Sequence, residues 1–524
     1  MSGLADERQA MKPILTDVTL AHEPLWARAA HDPNGDAVEF QAETLTWGQL
    51  KANVTRAAAM LKSLGISPGG RVGLLSRNSP VFVELALAAA ALGASVTPMN
   101  WRLTAEETTY IATDSELEIL FVETEFTHNA PVADRVPTLR TVLPADYADY
   151  RYIVDAHPAD PIDSKTVTED STALIMYSSG TTGRPKGVLI PHRSLIWRAK
   201  RAEPEVLASD RPLGGAVVPM PMFHIAGLAA TLYSLALGRR VNILQEARAD
   251  LIFDAIERGY DQTFLAPTLL QTVLDDGGPE KETIGKLREL RYGASPMPLN
   301  LLERALREWP EVEFSQAYGL TETAGGVVEL TNELHRNRAD DTVLRSAGEP
   351  LPGVEIRIVD PVTSQECQPG STGEVWVRCP YMATGYHRNP EATAETFTAD
   401  GWLRTGDIGE LSTDGYLFIR DRLKDMIISG GENIYTSEVE LVIGQFSGVA
   451  AVAVVGVPDD KWGERPLAYL EVDDPDHFDT DQLREFCRAR LAAFKVPDRF
   501  TVISVLPRTA TGKILKRELG KGAA

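Results

Sequence analysis

The sequence predicts an α/β protein built on a parallel sheet with both faces covered. Three observations lead there: apolar strand-like runs alternate with helical stretches up to about Ser346, two of those helices open on capping-box spacing, and short β-rich runs follow. Thr46 to Gly65 reads as an amphipathic helix, because Thr46 and Gln49 have capping-box spacing and Leu50, Val54, Ala58 and Leu61 share one face. Pro68-Gly69-Gly70 turns the chain into a buried strand over Arg71 to Ser76. Pro80 to Gly93 is an alanine-rich helix, Ser95 to Met99 a strand, and Thr104 with Glu107 a second capping box. Ile119 to Val122 and Thr141 to Leu143 are strand-like, and the alternation resumes through Gly238–Leu244, Leu251–Arg258 and Thr263–Ala266.

Beyond Ser346 the runs Val354–Val359, Gly373–Val377 and Tyr416–Ile419 are separated by Gly, Pro and Asp, which predicts a small antiparallel unit. A compact α/β tail begins near Asp421. It carries capping-box spacing at Ser437/Glu440, a strand at Val449–Gly456, a helix near Asp481–Leu491 and a basic end.

At roughly 150 residues per domain, 524 residues make three or four domain-sized units. The 52 Lys and Arg against 74 Asp and Glu give a net charge of −22, which repels phosphate backbones and argues against nucleic-acid binding. Cys367, Cys379 and Cys487 are too few and too scattered for a disulfide framework or a zinc site, which fits a reducing cytoplasm. Met1 to Asp17 has no apolar core of a signal peptide. The uncharged stretch 213–238 is long enough to cross a bilayer, but Pro219, Pro221 and His224 inside it favour a buried strand, a loop and a buried helix.

The chemistry is concentrated in Tyr177-Ser178-Ser179-Gly180-Thr181-Thr182-Gly183-Arg184-Pro185-Lys186-Gly187, directly after the apolar run Ala173 to Met176. Hydroxylated and Gly-rich residues let backbone N–H groups approach an anion, and Lys186 adds a point charge; the pattern suits a polyphosphate. It is not a Walker A loop, because Arg-Pro-Lys-Gly follows Gly183.

This run resembles the phosphate-binding signature of the adenylate-forming superfamily, which includes acyl-CoA synthetases, luciferases and peptide-synthetase adenylation domains. Further motifs of that family follow in order: Pro221 to Gly227, Tyr292-Gly293-Ala294-Ser295, Gln316-Ala317-Tyr318-Gly319-Leu320-Thr321-Glu322-Thr323, Thr405-Gly406-Asp407, Asp421 to Asp425, and Pro507 to Lys513. The resemblance spans residues 25 to 519. It implies a large N-terminal domain (1–420) of two α/β subdomains plus a small β-barrel. A hinge at 421–424 pivoting on Lys424 and a small mobile α+β C-terminal domain (425–524) follow.

It also implies the chemistry. A carboxylate is a poor electrophile, and ATP converts it to an acyl-adenylate with pyrophosphate leaving. The site therefore needs cations at the phosphates and a metal across them. By resemblance, Ser178, Ser179, Gly180, Thr181, Thr182, Gly183 and Lys186 hold phosphate, and Glu322 takes Mg²⁺. Gly293, Ala294, Ser295, Gln316, Ala317, Tyr318, Gly319 and Thr321 line the nucleotide, Tyr318 offering adenine a flat face, while Asp407 and Arg422 reach the ribose. Lys513 is implied to bridge the substrate carboxylate and the α-phosphate, and His224 to gate or orient the carboxyl end.

The acyl pocket is implied near His224, Ile225, Ala226, Gly293, Ala317 and Gly325. These are mostly small and carry no carboxylate or ammonium to pair with a second charge, which disfavours amino acids and dicarboxylates. Gly430 and Gly431 would pass a thin pantetheine chain, as in CoA ligases, and Pro458 to Glu464 is CoA-ligase-like too. The subgroup usually has Tyr-Pro where this chain has Tyr435-Thr436. The resemblance thus implies an AMP-forming acyl-CoA synthetase using ATP, Mg²⁺ and CoA, cytoplasmic, acting on a fatty acid or a bulky ring acid. The alternative is an amide-forming ligase that gives the adenylate to a free amine. A homodimer is also compatible with the sequence.

Overall fold

Thr46 caps its helix as its spacing requires: its hydroxyl accepts from Gln49 N–H at 3.2 Å and Gln49 Oε1 accepts from Thr46 N–H at 2.8 Å. The helix runs Trp47–Ser63 and buries Leu50, Val54, Ala58 and Leu61. The second box, Thr104 with Glu107, opens Ala105–Asp114 with the same reciprocal bonds. The computed structural model describes residues 13–178, 184–209, 213–276, 278–337, 342–429, 432–459, 461–508 and 514–519.

The chain divides into two units, the first made of Met1–Arg338, Leu351–Val354 and Arg378–Leu403, the second of Ala339–Pro350, Glu355–Val377 and Arg404–Ala524. The first unit carries two α/β sheets. One has six strands in the order Thr141–Pro144, Ile119–Val122, Arg71–Leu75, Ser95–Met99, Thr172–Ser178, Lys186–Pro191. Its first five strands are parallel and the last is antiparallel. The alanine-rich helix Pro80–Ala91 is buried along its whole length, as a helix under a parallel sheet must be.

In the other sheet, strands of the first unit run Gly325–Leu330, Glu313–Leu320, Glu289–Gly293, Tyr260–Leu265, Gly215–Val218, Val241–Ile243, Asp36–Phe40, Glu43–Thr46. The centre is parallel and the two hairpins at its ends are antiparallel. The uncharged stretch resolves into the strand Gly215–Val218 and the helix Ile225–Ala236. Among the described residues no helix is long and apolar enough to cross a membrane.

The second unit holds a four-stranded sheet, Glu355–Val359, Thr372–Arg378, Leu403–Leu411 and Leu417–Arg422. It also holds a sheet in which the hairpin Val449–Asp459/Gly463–Val472 pairs in parallel with Arg499–Val502. The boundary expected at 420–421 therefore falls inside this unit. Ile427, Ile434, Val439, Val454, Leu470, Leu483 and Cys487 form its buried core.

One local expectation fails here. The helix Thr436–Ile443 starts one residue before Ser437, and no side chain at its N-cap closes the Ser437/Glu440 box. Tertiary partners take both side chains: Ser437 Oγ donates to the Arg420 carbonyl, and Glu440 Oε1 accepts from Val454 N–H at 2.7 Å.

Candidate active site

Parallel strands gather loops at their carboxyl ends, and ligand sites of α/β sheets form there. Glu289–Gly293 ends on Gly293, beside Ala317 of Glu313–Leu320 in register, and Gly215–Val218 leads into the loop of His224. Packing there is close: a Cβ on Gly293 would lie 2.4 Å from Ala317 O, and one on Gly319 would lie 2.0 Å from Gly325 O. Thr323 Oγ1 fixes the turn between these strands, accepting from Leu320 N–H at 2.9 Å and lying 2.7 Å from Gly325 O. Ala324 closes it at φ +50°. Behind Gly293, Tyr292 Oη and His335 Nε2 are 2.8 Å apart, and His335 Nδ1 lies 2.7 Å from Thr331 O.

The strand Thr172–Ser178 pairs with Lys186–Pro191 so that Ser178 lies opposite Lys186, bringing the two ends of the proposed phosphate loop together. The helix Ala105–Asp114 braces both ends. Tyr177 Oη donates to Asp114 Oδ2 at 2.6 Å, and Tyr110 Oη donates to Pro185 O at 3.1 Å.

Lys186 Nζ stands 5.1 Å from the centre of the Tyr386 ring, within cation–π range. Tyr386 Oη donates to Glu322 Oε1 at 2.8 Å, and Glu322 is 9% exposed. Burial, then the Glu322 charge, pushes the Tyr386 phenol far above the ordinary tyrosine range, so it stays a donor. Two residues expected at the phosphates and at the metal, Lys186 and Glu322, thus share one tyrosine.

Among the described residues no cluster of three His, Cys, Asp or Glu side chains is arranged to hold a metal. A single carboxylate fits Mg²⁺, which binds through one or two carboxylates plus substrate phosphates and keeps waters.

His224 precedes the helix Ile225–Ala236, its ring 4.6 Å from that of Phe223. The residue as a whole is half-buried, yet Nε2 is buried without a hydrogen-bond partner. Burial, followed by the positive charge of Arg102, lowers its pKa to about 4. The imidazole is therefore neutral near pH 7, suited to orienting a carboxyl group rather than to carrying charge.

In the second unit, Asp407 Oδ1 pairs with Arg422 Nε at 2.8 Å across adjacent strands, and Asp407 is 3% exposed. Thr405 Oγ1 accepts from Asp407 N–H at 3.0 Å and donates to Val375 O at 2.7 Å, while Glu374 Oε1 accepts from Gly406 N–H at 3.2 Å. Lys424 sits in the turn after Arg422, its Nζ 3.5 Å from Asp425 Oδ1. The positions assigned to Ser179, Gly180, Thr181, Thr182, Gly183, Gly430, Gly431 and Lys513 lie outside the described residues.

Sequence reasoning missed Tyr386, Asp114, Tyr110 and His335. Only Gly385-Tyr386 offered a signal, a Gly-aromatic pair in the stretch between the Glu322 and Asp407 motifs. The three cysteines are free thiols; burial pushes Cys379 up to about 12 and Cys487 up to about 11, which suits packing rather than nucleophilic work.

The fold and the family comparison identify an adenylate-forming enzyme. The family described as AMP-binding enzyme matches residues 25–387, and its C-terminal domain matches 438–513. The chain belongs to this family. It is 36% identical over 501 residues to the fatty acid–[acyl-carrier-protein] ligase ScoC of Streptomyces coeruleorubidus, covering 94% of each chain. It is 36% identical to a feruloyl-CoA synthase of Amycolatopsis sp, covering 94% of this chain and 96% of the other. The o-succinylbenzoate CoA synthetase of Bacillus subtilis, solved with its acyl-adenylate intermediate, superposes with a TM-score of 0.84 at 30% identity, over 96% of this chain and 98% of that one.

Proposed function

We propose that this enzyme activates an apolar monocarboxylic acid with ATP and passes the acyl group to the thiol of CoA. A carboxylate oxygen attacks the α-phosphorus and pyrophosphate leaves; the CoA sulfur then attacks the acyl carbon and AMP leaves. The observation that carries this reading is the Lys186–Tyr386–Glu322 contact, which joins the phosphate loop to the carboxylate best suited to Mg²⁺. Mg²⁺ on the nucleotide would offset phosphate charge, with Glu322 as its protein ligand.

Lys186 and the hydroxyls of the preceding loop hold phosphate. Asp407 and Arg422, preset as a pair, receive the ribose, and Lys513 supplies the cation between the two reacting anions. His224 orients the carboxyl end. The small residues Ile225, Ala226, Gly293, Ala317 and Gly325 leave the acyl pocket open to a fatty chain or a ring. A reducing, ATP-containing cytoplasm suits this chemistry and the three free cysteines.

The test is pyrophosphate release over acids of graded length and ring content, without acceptor and then with CoA, with a pantetheinylated carrier protein, or with simple amines. Acid-dependent release that turns over only with CoA supports the reading. Turnover with amines alone replaces it by the amide-forming alternative. Turnover with the carrier alone keeps the thioester chemistry and moves the acceptor to a protein, as the name of ScoC describes for that relative.

A further inference from the structure

Thr436 has two donors, its N–H and its hydroxyl, and both are in use. Its N–H donates to Asp421 Oδ2, and its hydroxyl donates to the same oxygen at 2.8 Å. The hydroxyl oxygen in turn accepts from Lys516 Nζ at 2.6 Å. Thr436 is 0% exposed and Asp421 is 8% exposed, so no water competes strongly for these bonds.

The partners lie on opposite sides of the turn that holds Lys424. Asp421 is in the strand Leu417–Arg422, before that turn; Thr436 begins the helix Thr436–Ile443, after it. Lys516 opens the short helical turn Lys516–Glu518, next to the segment assigned the reacting lysine. The stem of that segment is built from described residues: Leu515 N–H donates to Pro507 O at 2.7 Å, and Arg508 bridges Ile514. Lys516 Nζ also pairs with Glu440 Oε1 at 2.7 Å. A continuous polar chain thus runs from Asp421 through Thr436 to Lys516 and Glu440.

We propose that Thr436 is a positioning residue, a latch tying the base of the hinge to the stem of the lysine loop. Rotation at Lys424 would separate Asp421 from Thr436 and break both hydrogen bonds. The latch therefore favours the orientation in which it is closed and sets how the enzyme divides its time between the two half-reactions. This inference rests on the reading of Lys424 as the pivot.

The test compares two rates on one preparation: acid-dependent pyrophosphate exchange, and thioester formation from supplied acyl-AMP and CoA. Thr436→Val keeps shape and N–H but loses the hydroxyl; it should change the ratio of the two rates by about fivefold or more, on the scale of one hydrogen bond to a charged group. Thr436→Ser, which keeps the hydroxyl, should restore the wild-type ratio. Asp421→Asn, which leaves Thr436 in place, should move the ratio in the same sense as Thr436→Val and carries the test should that variant not fold. An unchanged ratio, or an equal loss in both rates, overturns the latch. Lys424→Pro, run alongside, separates the two readings. A ratio shifted by Lys424→Pro alone leaves the pivot standing and removes the latch. No shift in any variant removes the pivot and the latch with it.

Discussion

Tyr386 Oη donates to Glu322 Oε1 at 2.8 Å while Lys186 Nζ stands 5.1 Å from the centre of the same ring. One phenol therefore serves two charges of opposite sign through different faces: the hydroxyl edge for the carboxylate, the π face for the ammonium. The buried carboxylate is fixed in direction, and the lysine has a preferred position before any nucleotide arrives. Groups outside a metal's own ligands commonly tune it in this way.

Tyr386→Phe keeps the ring under Lys186 and removes only the hydroxyl. The Mg²⁺ concentration giving half-maximal pyrophosphate exchange should rise by about tenfold, with the KM for the acid unchanged. Glu322→Gln should shift it further in the same direction, because a neutral amide is a poorer ligand for a hard cation. Mg²⁺ titrations at fixed ATP measure both, and an unchanged requirement in Glu322→Gln would remove this carboxylate from the metal.

Asp114 accepts from Tyr177 Oη at 2.6 Å, where the proposed phosphate loop begins. Asp114→Ala leaves that phenol without its charged partner. The KM for ATP in the first half-reaction should rise by about tenfold, the scale of one hydrogen bond to a charged group. Thioester formation from supplied acyl-AMP should keep its wild-type rate, which distinguishes loop bracing from a general loss of fold.

On the proposed function, Lys513→Ala should abolish adenylation of the free acid, because that reading has its charge offset the repulsion between carboxylate and α-phosphate. Thioester formation from supplied acyl-AMP should persist, since that step begins after the two anions are joined. The two half-reactions measured separately decide the matter. Equal loss in both would assign Lys513 a structural part.

The elements that were legible were those whose signal is local. Thr46/Gln49 and Thr104/Glu107 formed their capping boxes because both side chains face water at a helix start and meet no stronger partner. Ser437/Glu440 had the same spacing and did not close, because the Arg420 carbonyl, the Val454 N–H and Lys516 lay within reach. Spacing reports what a side chain can do locally; burial among distant elements decides what it does. The same limit hid Tyr386, whose meaning depends on Glu322, 64 residues away. His335 was illegible as well, since nothing near it in sequence points to Tyr292. Glu322 and Asp407 stood out only through the order and spacing of their motifs, whereas Lys186 stood out from the Gly- and hydroxyl-rich run that it closes.

Stability should fall as the pH drops below about 6.5, and buried histidines set the direction. Burial lowers His22, His192, His224 and His335 from 6.5 to about 4 in the folded state. His192 shows why: its Nδ1 accepts from Ala21 N–H at 3.0 Å, so a proton there would face a donor, and charged His22 would repel it further. Between about pH 6.5 and 4 the unfolded chain takes up protons that the folded chain refuses, so each histidine contributes stability that is present above 6.5 and lost on acidification. Each fully shifted histidine is worth on the order of 3 kcal/mol.

Glu84 acts in the opposite sense. It is 0% exposed, and burial raises it from 4.5 to about 7, with Arg151 at 3.4 Å and Asn53 Nδ2 at 3.0 Å only partly opposing the shift. Its contribution is fully present below about 4.5 and is lost as the pH rises through 7. Between about pH 4.5 and 6.5 four histidines outweigh one carboxyl, so the net slope is positive, with acid lability as the outcome. Glu84→Gln removes the opposing slope. Urea midpoints taken from about pH 5 to 8 should therefore rise more steeply with pH in Glu84→Gln than in the wild type, and its gain relative to wild type should be greatest at the alkaline end. A parallel pair of profiles would show that Glu84 stays ionised throughout this range.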